Sequence, residues 1–186
     1  MTKTSPIASE LSPKYTLVGF LFIRPMYGYE LHKNLVTDLH EIWRISQSQT
    51  YNTLKILEKD GWITSTRQEQ DKRPDRELLT LTDLGITHFE AWLFTPTPSS
   101  ARAIRVEFIT RLYFASKLGG DHFSQLIKEQ ADTIRANIKE LKKRSRDIPA
   151  ESVFNRMGLD LRIRQLSSAL AWVETADKFF YEEVKK

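Results

Sequence analysis

A run of uncharged hydrogen-bonding side chains stands at the front of an amphipathic helix pattern in the stretch RISQSQTYNTLKILEKDGWI, residues 44–63. Gln can form paired hydrogen bonds with the edge of an adenine, and Ser or Thr can bond to several bases. The residues Ser46, Gln47, Ser48 and Gln49 are therefore candidates for reading DNA sequence directly. Lys55, further along the helix, is better suited to a phosphate.

The same run also fits a helix cap. Ser46 and Gln49 have the spacing of a capping box, in which the two side chains satisfy free backbone N–H groups at the helix start. A cap accounts for these two residues but not for Gln47, Ser48 or Thr50, which would then be expected on solvent. Base reading and capping both remain open from the residues alone.

Catalytic and metal-binding patterns are not found in the sequence. The histidines His32, His40, His88 and His122 lack metal-ligand spacing, and there is no Gly-rich phosphate loop. The chain has no cysteine, which excludes disulfides and thiolate ligands. We therefore expect no enzyme activity, no metal and no cofactor.

Composition indicates a globular protein with a modest positive charge. The net charge is +4, and residues 1–100 hold 11 of the 28 basic and 12 of the 24 acidic residues, so the excess lies in the second half. A basic run on a long helix is usually a solvated face, so the charge does not establish a nucleic-acid partner. The sequence has no long apolar run and no signal-peptide core, which predicts a cytoplasmic protein without a membrane partner.

Hydrophobic periodicity in the first half of the chain predicts several helices, then β strands, then a further helix. The predicted elements are helices at 13–24, 27–39 and about 46–59, a short strand at 42–45, β runs at 62–67 and 77–81, and a helix from 82 to about 93. Tyr51, Leu54 and Leu57 are predicted to form the apolar face of the third helix. Three helices followed by a hairpin is the order of a winged helix-turn-helix, whose third helix enters the DNA major groove.

The tip of the predicted hairpin carries basic groups suited to a DNA-contacting wing. Lys72, Arg73 and Arg76 stand there around a proline, with acidic neighbours that would also suit a solvated turn. Proline and serine residues in the segment 95–100 predict a boundary, which gives a winged-helix domain at 1–97 and a helical domain at 98–186.

The second half is predicted to be entirely helical, with helices at about 103–117, 121–146 and 151–184. The last helix carries apolar residues at alternating steps of four and three, as in a coiled coil: Leu159, Ile163, Leu166, Leu170 and Val173. Such long helices predict a homodimer, and an antiparallel hairpin between the last two helices is the alternative. The fold class is therefore mainly α, a winged helix-turn-helix domain followed by a long-helix dimerisation domain.

Several short motifs together resemble the PadR family of transcriptional regulators. The motifs are Tyr27-Gly28-Tyr29-Glu30-Leu31, then Ser46 to Tyr51 with Asp60-Gly61, then Leu79-Thr80-Leu81-Thr82 with Gly85. The long second half is similar to the branch with large helical dimerisation domains, which includes the regulator of phenolic acid decarboxylase.

The resemblance implies a repressor that binds a palindromic double-stranded DNA operator as a homodimer, with a small aromatic effector releasing it in some members. By position it implies DNA contacts from Gln47, Ser48, Gln49, Tyr51 and Asn52 in the recognition helix, and from Lys72, Arg73 and Arg76 in the wing. The second half is rich in aromatic residues, which fit either an effector cavity or an ordinary core or dimer interface. A winged-helix module that contacts protein rather than specific DNA is the alternative function.

Overall fold

The structure, a computed structural model, describes residues 12–68 and 76–184 of the chain. The chain divides into two compact units, Met1–Thr95 and Pro96–Lys186. Helices dominate both units, and a three-stranded sheet lies in the first. The predicted fold class, mainly α with a winged-helix arrangement of elements, is confirmed.

Three helices form the body of the first unit: α1 (Lys14–Ile23), α2 (Gly28–Leu39) and α3 (Gln47–Lys59). A fourth, α4 (Asp83–Phe94), follows the sheet. α1 is buried along most of its length and packs against the other three helices. It ends before Pro25, because proline has no N–H to continue the helix and disfavours a helical residue before it.

The sheet consists of β1 (Met26–Tyr27), β2 (Ile63–Gln68) and β3 (Arg76–Leu81), all antiparallel, in the order β1-β3-β2. β2 and β3 are the predicted hairpin. Tyr27 was expected to begin the second helix, whereas it belongs to β1, whose backbone pairs with Leu78 and Leu79 of β3. The pairing buries Met26 in the core of the unit.

The prediction of a short strand at 42–45 is wrong. The amides of Ile42 and Trp43 both donate to the carbonyl of Leu39, at 3.0 and 2.8 Å, so the chain turns at the end of α2 and continues irregularly to α3. Trp43 is buried, which explains its β-prone, apolar character without a strand. Side-chain burial, not sheet pairing, fixes this segment.

The connection from β3 into α4 depends on a close backbone approach. The Thr82 hydroxyl donates to the carbonyl oxygens of Gly61 and Trp62 and accepts from the amide of Gly85, at 2.7, 3.1 and 3.1 Å. A Cβ at position 85 would overlap the Trp62 carbonyl oxygen. Gly61 itself has φ +74°, a conformation that favours glycine and ends α3.

The second unit contains the helices α5 (Ala101–Ala103), α6 (Ile109–Leu118), α7 (Gly120–Asp147), α8 (Val153–Val173) and α9 (Ala176–Val184). A π-helical turn, Ile104–Phe108, joins α5 to α6. α8 packs against α7, to which it is joined by the short connection 148–152, so the two form a helical hairpin.

The prediction of one continuous last helix at 151–184 is wrong, since α8 ends at Val173 and α9 begins at Ala176. The Thr175 hydroxyl donates to the carbonyl oxygens of Ala171 and Trp172, at 3.3 and 3.0 Å, and its amide also donates to Trp172. Such local bonds compete with the regular helical pattern. The break allows Phe180 of α9 to stack on Phe123 of α7, with 4.2 Å between ring centroids.

Candidate nucleic-acid interface

The N-terminus of α3 is held by a reciprocal cap. The Ser46 hydroxyl oxygen accepts from the amide of Gln49 at 3.2 Å, and the Gln49 side-chain oxygen accepts from the amide of Ser46 at 2.8 Å. The predicted capping box is therefore confirmed. It fixes the orientation of the first helical turn and engages one end of the Gln49 side chain in the cap.

Thr50 lies inside the unit rather than on solvent, contrary to expectation. Its side chain is fully buried, its hydroxyl donates to the Ser46 carbonyl at 3.2 Å, and it contacts Nδ1 of His32 at 3.0 Å. Tyr51, predicted on the apolar face, is 39% exposed instead. The buried face of α3 consists of Thr50, Leu54 and Leu57, so the prediction is confirmed for the two leucines, and Thr50 takes the place of Tyr51.

The outer face of α3 gathers most of the predicted DNA-binding residues. Five exposed side chains recur at helical spacing along one side of the helix: Gln47, Ser48, Tyr51, Asn52 and Lys55. Ser46 and Gln49 are exposed at its start but are joined to each other by the cap. Each turn of this face therefore presents hydrogen-bonding groups outward, with one cation further along the helix.

Arg76, at the start of β3, is held by two tyrosines. Its guanidinium carbon lies 5.7 Å from the ring centroid of Tyr27 and 5.4 Å from that of Tyr29, and Nη1 is 3.4 Å from the Tyr29 hydroxyl. The other two predicted wing residues, Lys72 and Arg73, lie outside the described residues. Only Arg76 of the predicted wing can therefore be placed.

A groove of about 610 Å³ lies between the outer face of α3 and the sheet. The polar and aromatic groups that line it are Tyr27, Tyr29, Tyr51, Lys55, Glu58, Arg67, Arg76 and Glu77. The sequence prediction did not include Tyr27, Tyr29 and Arg67 among the candidate interface residues, although they line this groove. Tyr27 and Tyr29 entered the sequence prediction only as the start of a helix and as part of a family motif.

No group of His, Asp or Glu side chains that could hold a metal occurs within residues 12–68 and 76–184. In the same part of the chain, every helix is too short or too polar to cross a membrane.

The predicted coiled-coil residues of α8 lie partly in the core of the second unit. Leu166 and Val173 are 1% and 0% exposed in the single chain, and Leu159, Ile163 and Leu170 are half-buried. A different set of large apolar side chains on this helix is exposed: Val153, Phe154, Met157, Leu161 and Trp172. α8 therefore has two apolar sides, of which one is covered within the chain.

A buried ion pair joins Arg111 of α6 to Glu107 of the preceding π turn. Arg111 Nη2 lies 2.5 Å from Glu107 Oε1, and both side chains are more than nine-tenths buried. The π turn places these charges one helical turn apart inside the unit. The sequence interpretation did not single out either residue, because a spacing of four is common on solvated helix faces.

The basic run on α7 borders a cavity of about 850 Å³ in the second unit, lined by Arg135, Lys139, Lys142, Lys143 and Arg146 among others. The side chain of Glu174 accepts a hydrogen bond from Arg135 at 2.6 Å. This bond, together with the charge of Glu174 and the contact with Asp132, raises the pKa of Arg135 above its ordinary value. Arg135 therefore stays charged, and Glu174 and Asp132 partly offset its charge.

The aromatic residues of the second unit divide between interior and surface. Phe108 and Phe114 are 1% and 2% exposed and belong to the core, whereas Phe154 and Phe179 are 86% and 72% exposed. Of the roles left open by the sequence, the core is therefore confirmed for Phe108 and Phe114.

Three helices, of which the third has a polar outer face, followed by an antiparallel hairpin define a winged-helix DNA-binding protein. The sequence matches the transcriptional regulator PadR-like family over residues 17–91 and the virulence activator alpha C-term family over residues 104–179. The negative transcriptional regulator PadR of Bacillus subtilis (strain 168) is 30% identical over 128 residues, which cover 69% of this chain and 70% of that protein. The chain belongs to the PadR-like family of transcriptional regulators.

Two solved structures of that relative are also similar. The crystal structure of Bacillus subtilis PadR in complex with operator DNA is 23% identical, with a TM-score of 0.45, and the match covers 94% of this chain and 99% of that one. The structure of the same protein in complex with p-coumaric acid is 24% identical, with a TM-score of 0.39, covering 90% and 97%.

Proposed function

We propose that this transcriptional regulator is a repressor that binds a palindromic operator as a homodimer through the outer face of α3. The observation that carries this proposal is the exposed face of Gln47, Ser48, Tyr51, Asn52 and Lys55, set on a helix whose start is fixed by the Ser46–Gln49 cap. Gln and Asn can each bond an adenine edge with two hydrogen bonds, and Lys55 reaches a phosphate.

In this proposal, different residues read the base sequence and position the protein on the DNA backbone. Gln47, Ser48 and Asn52 read bases in the major groove, and Lys55 and Arg76 bind the backbone on either side. Phosphate contacts fix the register of a protein on DNA but carry no direct sequence information. Lys72 and Arg73 remain predicted wing contacts. The proposed boundaries of the DNA-binding and helical domains are 1–97 and 98–186.

Dimerisation is proposed to use the outward apolar side of α8. Phe154, Met157 and Leu161 follow one another at steps of three and four, as in a helix-helix seam, and they are 86%, 61% and 57% exposed. Large contiguous apolar surfaces on a folded chain mark association sites. The apolar residues on the opposite side of α8, from Leu159 to Val173, then pack α8 against α7 and hold the helix in place for dimerisation.

Repression is supported by the name of the Bacillus subtilis relative, a negative regulator. A dimer would place two α3 helices in successive major grooves, about 34 Å apart, on an operator that excludes polymerase. That relative has been crystallised with p-coumaric acid. By analogy, we propose that a small aromatic effector binds the helical domain and favours a dimer geometry that does not fit the operator. No catalytic step forms part of this function, and a cytoplasmic location follows from it.

Selection of bound fragments from the source genome tests the proposal directly. The purified protein is mixed with sheared genomic DNA at about 100 mM salt, and bound fragments are sequenced after several rounds. We expect an inverted repeat near a promoter, with binding that weakens steeply between about 50 and 200 mM salt because counterions are released on binding. A folded dimer that enriches no shared sequence would contradict sequence-specific binding.

The matched control is the Gln47→Ala, Asn52→Ala double variant, which removes two base-reading side chains without touching the cap. Its enriched sequence should be less restricted at two positions of each half-site. An enriched sequence identical to that of the unaltered protein would show that this face does not read the bases.

A further inference from the structure

The groove between α3 and the sheet is built around a cation that two aromatic rings hold in place. The rings of Tyr27 and Tyr29 are nearly parallel, at 8°, with centroids 5.8 Å apart. The guanidinium carbon of Arg76 lies within 6 Å of both centroids. Cation–π contacts of this kind restrict the guanidinium to one region, so less conformational entropy is lost when it binds an anion.

The hydroxyl groups of the two tyrosines have different partners. Tyr27 donates to the side-chain oxygen of Gln68 at 2.5 Å, which ties its ring to the end of β2. Tyr29 accepts from Arg76 Nη1 at 3.4 Å, so its own hydroxyl hydrogen can still be donated to an acceptor in the groove. Tyr29 is 45% exposed. Arg76 and Tyr29 therefore place adjacent hydrogen-bond donors at the groove.

The wall formed by α3 continues the same polar surface. Tyr51 and Lys55 border the groove on the recognition-helix side, and Arg67 borders it on the side of β2. Of the two carboxylates in the lining, Glu58 accepts a hydrogen bond from the Ser65 hydroxyl at 2.6 Å. Three cations against Glu58 and Glu77 leave the groove with a net positive charge.

Gly28 leaves room for the Tyr51 ring. A Cβ at position 28 would lie 2.9 Å from Cε1 of Tyr51, closer than real Cβ atoms approach a neighbour. The missing side chain therefore lets the ring of Tyr51 rest against the start of α2, where it forms part of the groove lining.

We infer that this groove binds the sugar-phosphate backbone of one DNA strand, with Arg76 and the Tyr29 hydroxyl bonding to one phosphate. This inference rests on the proposed function. If α3 lies in a major groove and the hairpin beside the neighbouring minor groove, the strand that separates the two grooves must pass between α3 and the sheet. Tyr27 does not touch DNA in this arrangement and is a positioning residue for Arg76.

The test uses duplexes in which single phosphates are replaced by uncharged methylphosphonates. The parent duplex is the most enriched fragment from the genomic selection. A duplex of random sequence, measured at low salt, is the non-specific ligand. Dissociation constants are measured by fluorescence anisotropy for the unaltered protein, Arg76→Gln, Tyr29→Phe, Tyr27→Leu and Tyr27→Phe. Arg102→Gln and Tyr15→Phe are matched controls, because they make the same changes outside the groove.

A hydrogen bond to a charged group corresponds to about a 10-fold or larger change in affinity. We therefore expect Arg76→Gln to weaken both duplexes about 10-fold, and Tyr29→Phe about 3-fold, with no change in the preferred sequence. One methylphosphonate per half-site should weaken the unaltered protein about 10-fold but have little further effect on Arg76→Gln, since both changes remove the same contact.

The role of Tyr27 is tested by the same combination of a protein substitution with a methylphosphonate in the DNA. Tyr27→Leu should reduce the effect of that methylphosphonate, and Tyr27→Phe, which keeps the ring, should restore it. A purely structural role for Tyr27 would lower the melting temperature of both variants without altering the methylphosphonate pattern.

Other results would overturn the inference. If Arg76→Gln and Tyr29→Phe keep the methylphosphonate pattern of the unaltered protein, the groove does not hold the strand. Competition by inorganic phosphate at matched ionic strength would instead indicate a site for small anions. Failure of the proposed function is a separate result: the unaltered protein would prefer no sequence, while Arg76→Gln would still weaken binding of the random duplex.

Discussion

Gln49 is the residue for which the capping and base-reading roles can be separated by substitution. Its side-chain oxygen accepts from the Ser46 amide at 2.8 Å, so the paired hydrogen bonds that Gln makes to adenine would require the cap to open. We predict that Gln49→Ala lowers the stability of the protein and leaves its base preference unchanged.

The size of the effect follows from the bonds that are lost. Gln49→Ala removes one of the two reciprocal bonds at an exposed helix start, while the Ser46 hydroxyl still accepts from the amide of residue 49. Complete loss of a cap costs about 1 kcal/mol, and alanine has the higher helix propensity, so the expected net loss is about 0.5 kcal/mol. Ser46→Ala should cost about 1 kcal/mol.

Gln49→Glu is expected to have the opposite effect on stability from Gln49→Ala. Glutamate keeps the oxygen that accepts from the Ser46 amide and adds a negative charge at a helix N-terminus, which stabilises a helix by about 0.3 to 1 kcal/mol. Its stability should therefore equal or exceed that of the unaltered protein. Its affinity for every duplex should fall, because the new charge lies close to the phosphates.

The assay combines thermal unfolding with selection of preferred DNA sequences. A loss of about 0.5 kcal/mol lowers the melting temperature by about 1 to 2 °C in a chain of this size, which differential scanning calorimetry resolves. Gln47→Ala is the matched control, since it removes the same side chain from the exposed face of the same turn and should alter base preference but not stability. If Gln49→Ala instead relaxed the preferred sequence at one position and left unfolding unchanged, the capping argument would be refuted.

Three further predictions concern packing. Gly85→Ala should destabilise the first unit by about 3 kcal/mol, measured by urea unfolding, because its Cβ would overlap the Trp62 carbonyl oxygen, and unchanged stability would contradict the close approach. Thr50→Val should cost about 1 to 2 kcal/mol, because the part-buried contact with His32 Nδ1 and the bond to the Ser46 carbonyl are lost, and a neutral result would show that neither bond matters. Leu161→Glu should shift the protein toward monomer in sedimentation at micromolar concentration, and an unchanged dimer would place the interface elsewhere.

Much of the first unit could be predicted because the rules involved are local. The cap at Ser46 and Gln49, the end of α1 before Pro25 and the end of α3 at Gly61 depend on residues close together in sequence. The hairpin was recognisable from the change of hydrophobic period and its polar connection. These features required no knowledge of distant partners.

The interface was predicted only in part. The spacing of polar residues on α3 indicated a reading face, but the aromatic pair that holds Arg76 comes from β1 and the start of α2, far from the hairpin in sequence. Tyr27 takes its place because β1 pairs with β3, and a two-residue strand leaves no period in the sequence. Pairing over such a distance is decided by the fold as a whole.

The sequence by itself determined the class of the protein: the order of helices and hairpin, the capped front of α3 and the all-helical second half. Only the tertiary structure decided which sides of the helices are buried. It placed Thr50 rather than Tyr51 in the buried face of α3, and it covered one of the two apolar sides of α8. The physical reason is that caps and turns depend on neighbouring residues, whereas burial depends on which distant surfaces come into contact.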